Sequence, residues 1–156
     1  MSARAEGGCT GNDGEAFMNV RVTPKLLEEL LESAQEASGR AYAPFSNFCV
    51  GAAVLTSDGR VFLGCNVENS SYGLTNCAER TAIFTAIAEG AITAERDLVA
   101  VAVVNKDGVA CSPCGACRQV IYEFGPEALV VFRAKDLSIS HVKAEELLPE
   151  GFRLRS

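Results

Sequence analysis

The sequence predicts a three-layer α/β/α domain in which helices cover both faces of a mixed five-stranded sheet. Segments with strand and helix periodicity alternate along the chain, which is the pattern of a sheet packed between helices. Asp58-Gly59 lies between two apolar segments and predicts a tight hairpin, so the first two strands are expected to be antiparallel. Residues 98–104 are apolar on both faces, as expected of a strand in the middle of the sheet.

A helix and then the hairpin open the folded part of the chain. Thr23 is a good N-cap and Pro24 suits the first helical position, and apolar residues recur after them at helical spacing. Gly39 is placed to end this helix. The hairpin strands are expected at residues 49–56 and 60–67.

The second half of the chain alternates between helices and strands. A helix is expected at residues 77–89, with Asn76 as its N-cap and Gly90 at its end. In chain order, the remaining elements are a strand at 98–104, a helix at 114–124, a strand at 128–133, a weak strand at 138–142 and a short helix at 143–148.

Composition and charge narrow the possible functions. The chain has 156 residues, a net charge of -6, and no apolar run typical of a signal peptide or a membrane span. An acidic chain argues against nucleic acid as a partner, because a phosphate-tracking surface needs clustered Lys and Arg. Seven unevenly spaced cysteines argue against a disulfide framework. We therefore expect a cytoplasmic protein with a flexible tail at residues 1–20 and one domain at residues 21–156.

Three cysteines share a position at the start of a predicted helix. Cys77 begins one helix, Cys114 begins the next, and Cys117 follows on the same helical face as Cys114. Helix N-termini favour the thiolate, which is the form that binds zinc. Three thiolates leave one coordination position of zinc open, and an open position is typical of a catalytic zinc site. The sequence therefore predicts a catalytic zinc site, whose open position would take the attacking water.

Glu79 distinguishes this arrangement from other cysteine motifs. It lies two residues after Cys77, where a carboxylate can carry protons beside the metal without binding it. A pair such as Cys114 and Cys117 alone would also fit a redox protein or a structural zinc module. A redox protein would leave Cys77 and Glu79 without a role, and a structural zinc needs no acid-base group. A Cys-x-Glu segment followed by Pro-Cys-x-x-Cys is instead the layout of zinc-dependent deaminases.

Further motifs make the resemblance specific. From about residue 26 to residue 152 the chain resembles the small homotetrameric zinc-dependent cytidine deaminases. The matching stretches are residues 42–46, 50–53, 64–69, 77–82 and 112–120, with Leu147-Leu148-Pro149 and Phe152 near the end. The resemblance implies the cytidine deaminase-like fold, one zinc per chain and a homotetramer. It also implies hydrolysis of cytidine and 2′-deoxycytidine to uridine and 2′-deoxyuridine with release of ammonia, a step of pyrimidine salvage.

The resemblance also implies roles for individual residues. Glu79 would take a proton from the attacking water, deliver it to N3 of cytosine, and carry a second proton to the leaving amine. The substrate-binding residues would be Phe48 near the base, Asn66 and Glu68 at the ribose, the backbone of Ala78 at the pyrimidine, and Phe152 over a neighbouring subunit's site. Asn66 and Glu68 also share one side of an extended segment. Arg80 would offset the charge of the thiolates.

The nearest rival activity is deamination of another cytosine compound, such as a blasticidin-type nucleoside antibiotic. His141, the single histidine, lies away from the cysteine motifs and is expected to have an ordinary surface or packing role. The cysteines not expected to bind metal are Cys9, Cys49, Cys65 and Cys111.

Overall fold

Five strands and four helices make up residues 20–94 and 97–154, the part of the chain that this computed structural model describes. The helices are α1 (Pro24–Ser38), α2 (Ala78–Ala88), α3 (Gly115–Phe124) and α4 (Ala144–Leu147). The strands are β1 (Val50–Thr56), β2 (Val61–Cys65), β3 (Leu98–Asn105), β4 (Leu129–Arg133) and β5 (Ile139–Lys143). A single 3-10 turn spans Tyr72–Leu74. The predicted tail, apart from Val20, lies outside the described residues, and so does Cys9.

The strands form the predicted mixed sheet, in the order β2-β1-β3-β4-β5. Strand β1 is antiparallel to both β2 and β3, β3 runs parallel to β4, and β4 is antiparallel to β5. Gly59 turns the chain between β1 and β2 with φ +84°, a left-handed conformation that favours glycine. The hairpin and the apolar central strand are therefore confirmed.

Strand β3 shows how the sheet supplies two hydrophobic cores. Its residues alternate between faces, so that Ala100 and Ala102 pack toward α1 while Val101 and Val103 pack toward α2 and α3. On the α1 face the core includes Leu27, Leu30, Ala34, Ala53, Leu55 and Val131. On the other face it includes Ala52, Val54, Ala82, Ile83, Ile121 and Val130. This arrangement confirms the three layers.

Helix α1 begins and ends as its sequence predicts. The Thr23 side chain accepts a hydrogen bond from the backbone N–H of Leu26 at 3.2 Å, and Pro24 occupies the first helical position. Gly39 follows the last helical residue. None of the helices in residues 20–94 and 97–154 has the length and apolarity needed to cross a membrane.

Strand β2 is shorter than predicted. It ends at Cys65, whereas the sequence predicted strand as far as Val67. The ladder stops because the Asn66 side chain accepts a hydrogen bond from the backbone N–H of Val50 at 2.8 Å. Val67 forms only isolated bridges, one with Tyr42 and one with Asn76.

The predicted N-cap of α2 was also wrong by one residue. Cys77, with extended backbone angles, caps this helix, and Asn76 precedes the cap. Asn76 is instead paired through its backbone with Val67, and its side chain donates to the Thr81 hydroxyl at 3.0 Å. The bridge between Asn76 and Val67 thus fixes the chain as it enters α2, immediately before the first predicted zinc ligand.

Candidate active site

Two helices begin side by side, each with a cysteine at its cap. Cys77 caps α2 with φ -76° and ψ 156°, and Cys114 caps α3 with φ -69° and ψ 167°. Cys117 lies in the first turn of α3 and is buried. The positive ends of both helix dipoles therefore face the same group of sulfur atoms, which favours their thiolate forms.

Gly64 allows α2 to lie close against the sheet. A Cβ at this position would be 2.3 Å from the carbonyl oxygen of Ala78 and 2.5 Å from the backbone nitrogen of Ala82. No side chain fits at such distances. Because Gly64 has no side chain, the first turn of α2 can lie this close to β2, and this distance in turn determines where Cys77 and Glu79 lie.

The three sulfur atoms form a compact cluster. The Sγ atoms of Cys77 and Cys114 are 3.8 Å apart, and those of Cys77, Cys114 and Cys117 all lie within 4.8 Å of one another. A tetrahedral zinc site with Zn–S bonds near 2.3 Å requires sulfur atoms about 3.8 Å apart. Thiolates are also the ligands that zinc prefers in proteins. The donor set and its spacing therefore fit zinc, and these three residues could hold the ion.

The pKa values of the Cys77 and Cys117 thiols are shifted in opposite directions. A hydrogen bond from Cys117, and then one from Arg80, lowers the pKa of the Cys77 thiol to about 5. The pKa of Cys117 is raised, first by its hydrogen bond to Cys77 and then by burial. The hydrogen bond between Cys77 and Cys117 is the main cause of both pKa shifts. We therefore assign the lower pKa to the pair and not to Cys77 alone. A cation bound here would have to displace the remaining proton, since metal ligands bind as thiolates.

Glu79 lies in the first turn of α2 and is only 3% exposed. Burial is the main cause that raises the pKa of its carboxyl group, and the nearby charge of Cys77 raises it further. A carboxyl group in such a position can hold a proton closer to neutral pH than an exposed one. Glu79 therefore has the environment of an acid-base group.

Arg80 approaches the cluster from the side. Its Nη2 lies 3.5 Å from the Cys77 sulfur and donates to the carbonyl oxygen of Thr75 at 3.4 Å. Its Nε is buried and has no hydrogen-bond partner among the described residues. The bond to Cys77 is the main cause that raises the pKa of Arg80. The guanidinium thus places positive charge beside the Cys77 sulfur.

A cavity of about 320 Å³ opens above the sulfur cluster. Its wall contains most of the residues to which the sequence assigned a role in metal binding, acid-base chemistry or substrate binding. These residues are Phe48, Asn66, Glu68, Cys77, Ala78, Glu79 and Cys114. Cys117, Arg80 and Phe152 are not in the wall. The cavity wall therefore combines a buried carboxyl group and two of the thiols with the polar side chains of Asn66 and Glu68.

Hydrogen bonds to the loop before β1 and to the start of β1 fix Glu68 and Asn66 in the cavity wall. The Glu68 carboxylate accepts from the backbone N–H groups of Phe45, at 2.8 Å, and Ser46, at 3.3 Å, and from the Ser46 hydroxyl. The Ser46 hydroxyl is the main cause that lowers the pKa of Glu68. Asn66 donates to the carbonyl oxygen of Phe48 at 2.8 Å and accepts from Val50. One amide hydrogen of Asn66 and roughly one of the four acceptor positions of Glu68 remain for a ligand.

Phe152 is not part of this cavity. It is 69% exposed, and its carbonyl oxygen accepts a hydrogen bond from Gln119 of α3 at 3.1 Å. His141 is exposed on β5 and pairs with Val131. Cys49 and Cys65 lie outside the sulfur cluster, and both are partly buried.

Five residues of the cavity wall had not been assigned to the site from the sequence. They are Ser46, Val50, Thr75, Cys111 and Ser112. Ser46, Val50 and Ser112 lie inside the stretches that carry the resemblance, so membership of those stretches was the available signal. Cys111 lines the cavity without joining the three-sulfur cluster, and burial raises the pKa of its thiol to about 12. It remains a neutral part of the wall.

Known proteins resemble this chain over most of its length. The family model described as the cytidine and deoxycytidylate deaminase zinc-binding region matches residues 24–133. The cytidine deaminase of Halalkalibacterium halodurans is 48% identical over 124 residues, which cover 79% of this chain and 91% of that protein. The probable cytidine deaminase of Dictyostelium discoideum is 44% identical over 126 residues, covering 81% of this chain and 83% of that protein.

Solved structures show the same similarity. The crystal structure of cytidine deaminase from Burkholderia pseudomallei aligns with a TM-score of 0.72 and 51% identity, covering 80% of this chain and 98% of that chain. The cytidine deaminase from Mycobacterium tuberculosis aligns with a TM-score of 0.70 and 41% identity, covering 80% of this chain and 95% of that chain.

Proposed function

The chain belongs to the family of zinc-dependent cytidine and deoxycytidylate deaminases, and we propose that it hydrolyses cytidine and 2′-deoxycytidine to uridine and 2′-deoxyuridine with release of ammonia. One observation carries the proposal most strongly. The sulfur atoms of Cys77, Cys114 and Cys117 lie within 4.8 Å of one another, and two of these residues, Cys77 and Cys114, line the same cavity as Glu79, which is 3% exposed. A structural zinc site would have no use for that carboxyl group.

The three cysteines would hold one zinc ion per chain. When bound, zinc supplies Lewis acidity, which makes water an effective nucleophile at neutral pH. Arg80 offsets part of the negative charge of three thiolates through its contact with Cys77 at 3.5 Å. Weaker donation by the thiolates preserves the acidity of the metal.

Glu79 would move both protons of the reaction. Its carboxylate accepts a proton from the attacking water and delivers that proton to N3 of cytosine, while the water oxygen forms a bond to C4. The remaining proton of this oxygen then passes through Glu79 to the amino group. The C4–N bond breaks, ammonia leaves, and the C4 carbonyl of uridine is complete.

Asn66 and Glu68 would bind the sugar. Asn66 offers its remaining amide hydrogen, and Glu68 offers an acceptor position to a ribose hydroxyl. Phe48, which is 40% exposed on the cavity wall, would pack near the base. The backbone of Ala78, at the start of α2, would contact the pyrimidine.

The assembly and location are further parts of the proposal. We expect a homotetramer in which Phe152 covers a neighbouring subunit's site, and exposed apolar side chains near the cavity, including Phe45, Tyr72 and Leu74, support burial by a partner chain. We place the protein in the cytoplasm, where a reducing environment keeps the three thiols available for zinc. Its partner molecule is a small nucleoside, and neither nucleic acid nor a membrane is expected to bind.

The proposal is tested by incubating the purified protein with cytidine and measuring uridine and ammonia in parallel. Equal amounts of both products are expected, and removal of zinc by a chelator should stop their formation. Cytosine, adenosine and blasticidin S serve as comparison substrates. Faster turnover of blasticidin S than of cytidine would favour the rival activity, and no turnover of any of them would favour a zinc-binding module.

A further inference from the structure

Ser46 occupies a special position in the loop before β1. Its hydroxyl group donates a hydrogen bond to Oε1 of Glu68, and its oxygen accepts one from the backbone N–H of Phe48 at 3.0 Å. Both neighbours are residues that we assign to substrate binding. Ser46 itself also lines the cavity.

The bond from Phe48 fixes the direction in which Ser46 donates. A hydroxyl group has one hydrogen and two acceptor positions, and it rotates to suit its partners. Because the N–H of Phe48 occupies one acceptor position, the hydroxyl hydrogen is directed to the Glu68 carboxylate. The loop itself is held in place, since Asn47 has a left-handed φ of 56° and its N–H donates to the Ala43 carbonyl oxygen at 3.0 Å.

Glu68 needs such a partner. A glutamate side chain has three rotatable bonds, and holding it in one rotamer costs conformational entropy. Two backbone N–H groups bind Oε2, at 2.8 Å and 3.3 Å, whereas Oε1 is bound by the Ser46 hydroxyl. The hydroxyl thus determines how the carboxylate is rotated about its last bond, and therefore where its remaining acceptor position points.

We propose that Ser46 is a positioning residue for sugar recognition, and that its hydroxyl group orients the Glu68 carboxylate toward the ribose. The inference rests on the proposed function. It assigns Ser46 an effect on substrate binding through Glu68 and no effect on the proton transfers at Glu79.

The test measures kcat and KM for cytidine in Ser46→Ala, with Ser33→Ala as the matched control. Ser33 is on α1, where its hydroxyl donates to the carbonyl oxygen of Glu29 at 2.9 Å, outside the cavity. Loss of a hydrogen bond to a charged group should raise KM about tenfold in Ser46→Ala. The kcat value should change less than about threefold, because binding is lost without loss of chemistry. Ser46→Thr, which keeps the hydroxyl, should restore KM.

A double-mutant cycle separates positioning from a general structural effect. In a Glu68→Ala background, Ser46→Ala should raise KM less than about twofold further, because the residue acts through Glu68. Zinc content and the melting temperature report the integrity of the fold. If Ser46→Ala does not fold, Ser46→Cys keeps the size but weakens the donor, and it must show the same rise in KM.

Three results would overturn the inference: an unchanged KM in Ser46→Ala, a loss confined to kcat, or a full Ser46→Ala effect in the Glu68→Ala background. A wild-type protein that releases no ammonia from cytidine defeats the proposed function, and this inference with it. If the wild type is active and Ser46→Ala has the same KM for cytidine, only the inference about Ser46 is wrong, and the proposed function stands.

Discussion

Glu79 and the cysteines around it show how single residues acquire their chemistry from position. Glu79 is an ordinary carboxylic acid, but burial and the charge of Cys77 raise its pKa. Cys77 is an ordinary thiol, but hydrogen bonds from Cys117 and Arg80 lower its pKa. The starts of α2 and α3 bring a carboxyl group with a raised pKa and a thiol with a lowered pKa into one small site.

Replacing Glu79 by Gln should lower turnover strongly while the zinc content and the fold are retained. The amide keeps the size of the side chain but cannot accept and return a proton, so kcat should fall by about 10²–10⁴-fold. Steady-state kinetics and zinc analysis on the same preparation measure both effects. Glu28→Gln, an exposed change on α1, is the control. Near-normal turnover by Glu79→Gln would refute its acid-base role.

Zinc content should depend on three particular cysteines. Replacing Cys77, Cys114 or Cys117 by Ala should lower zinc well below one ion per chain, because a site with two protein ligands binds the ion weakly. Cys65→Ser should keep full zinc, since Cys65 donates to the carbonyl oxygen of Arg40 at 3.4 Å and a serine can do the same. Metal analysis of the purified variants decides, and a Cys114→Ala protein with full zinc would contradict the ligand set.

Much of the site at this scale follows from local sequence, and part of it does not. The proximity of Cys77, Glu79 and Cys114 could be predicted, because the sequence indicates where helices start and how these residues are spaced. The hydrogen bond between Ser46 and Glu68 could not be predicted, because these residues are 22 apart and meet only when β2 pairs with β1. Thr75 and Cys111 also line the cavity, and their positions two and three residues before Cys77 and Cys114 were the only signal in the sequence.

At the scale of elements, the approach of α2 to β2 decides where the reactive groups lie. Gly64→Ala should therefore reduce zinc content as well as stability, because the new Cβ would force the first turn of α2 away from the strand. Such overpacking costs roughly 1–3 kcal/mol of the free energy of unfolding. The measurements are the melting temperature and the zinc bound per folded chain.

Gly51→Ala is the matched control for this change. Its Cβ would lie 1.9 Å from the Ala34 carbonyl oxygen, so it strains the packing of α1 on the opposite face of the sheet. We expect lower stability with zinc content retained. Equal loss of zinc in both variants would show that zinc binding follows overall stability and not the position of α2.

Element types were predictable, whereas several element boundaries were not. The strand pattern continues through Asn66 and Val67, but the Asn66 side chain takes the hydrogen bond of Val50 and ends the ladder at Cys65. The Asn76 side chain suits an N-cap better than that of Cys77. Asn76 nevertheless pairs with Val67 through its backbone, and Cys77 is the N-cap of α2 instead. Tertiary hydrogen bonds overrode local preference at both positions.

At the scale of the whole molecule, the C-terminal segment should matter through a neighbouring subunit. Phe152→Ala is expected to lower kcat/KM, because the proposed tetramer places this exposed ring over another site. Leu154→Ala removes an even more exposed apolar side chain, 92% accessible, two residues later, and it should have little effect. Light scattering and kinetics measure assembly and activity. A fully active monomer would contradict the arrangement.

The tail should contribute little to the same assembly. Residues 1–19 carry glycines and polar residues without the spacing of a core-forming helix or strand. Their removal should leave kcat/KM and the mass of the oligomer unchanged. A truncated protein that dissociates, or loses activity as Phe152→Ala does, would show that the tail belongs to the folded domain.

The central claim is that this chain deaminates nucleosides, in a family whose description includes deoxycytidylate as well as cytidine. A 5′-phosphate would bring negative charge toward Glu68, whose pKa is lowered so that it stays ionised. Arg80 already contacts Cys77 and Thr75, so it offers little compensation.

The most direct measurement compares kcat/KM for cytidine and 2′-deoxycytidine with kcat/KM for their 5′-monophosphates. Since an unpaired like charge disfavours the nucleotide, we predict at least about a tenfold preference for the nucleosides. Glu68→Gln should narrow this ratio. Equal or faster turnover of the monophosphates by the wild-type protein would contradict the account.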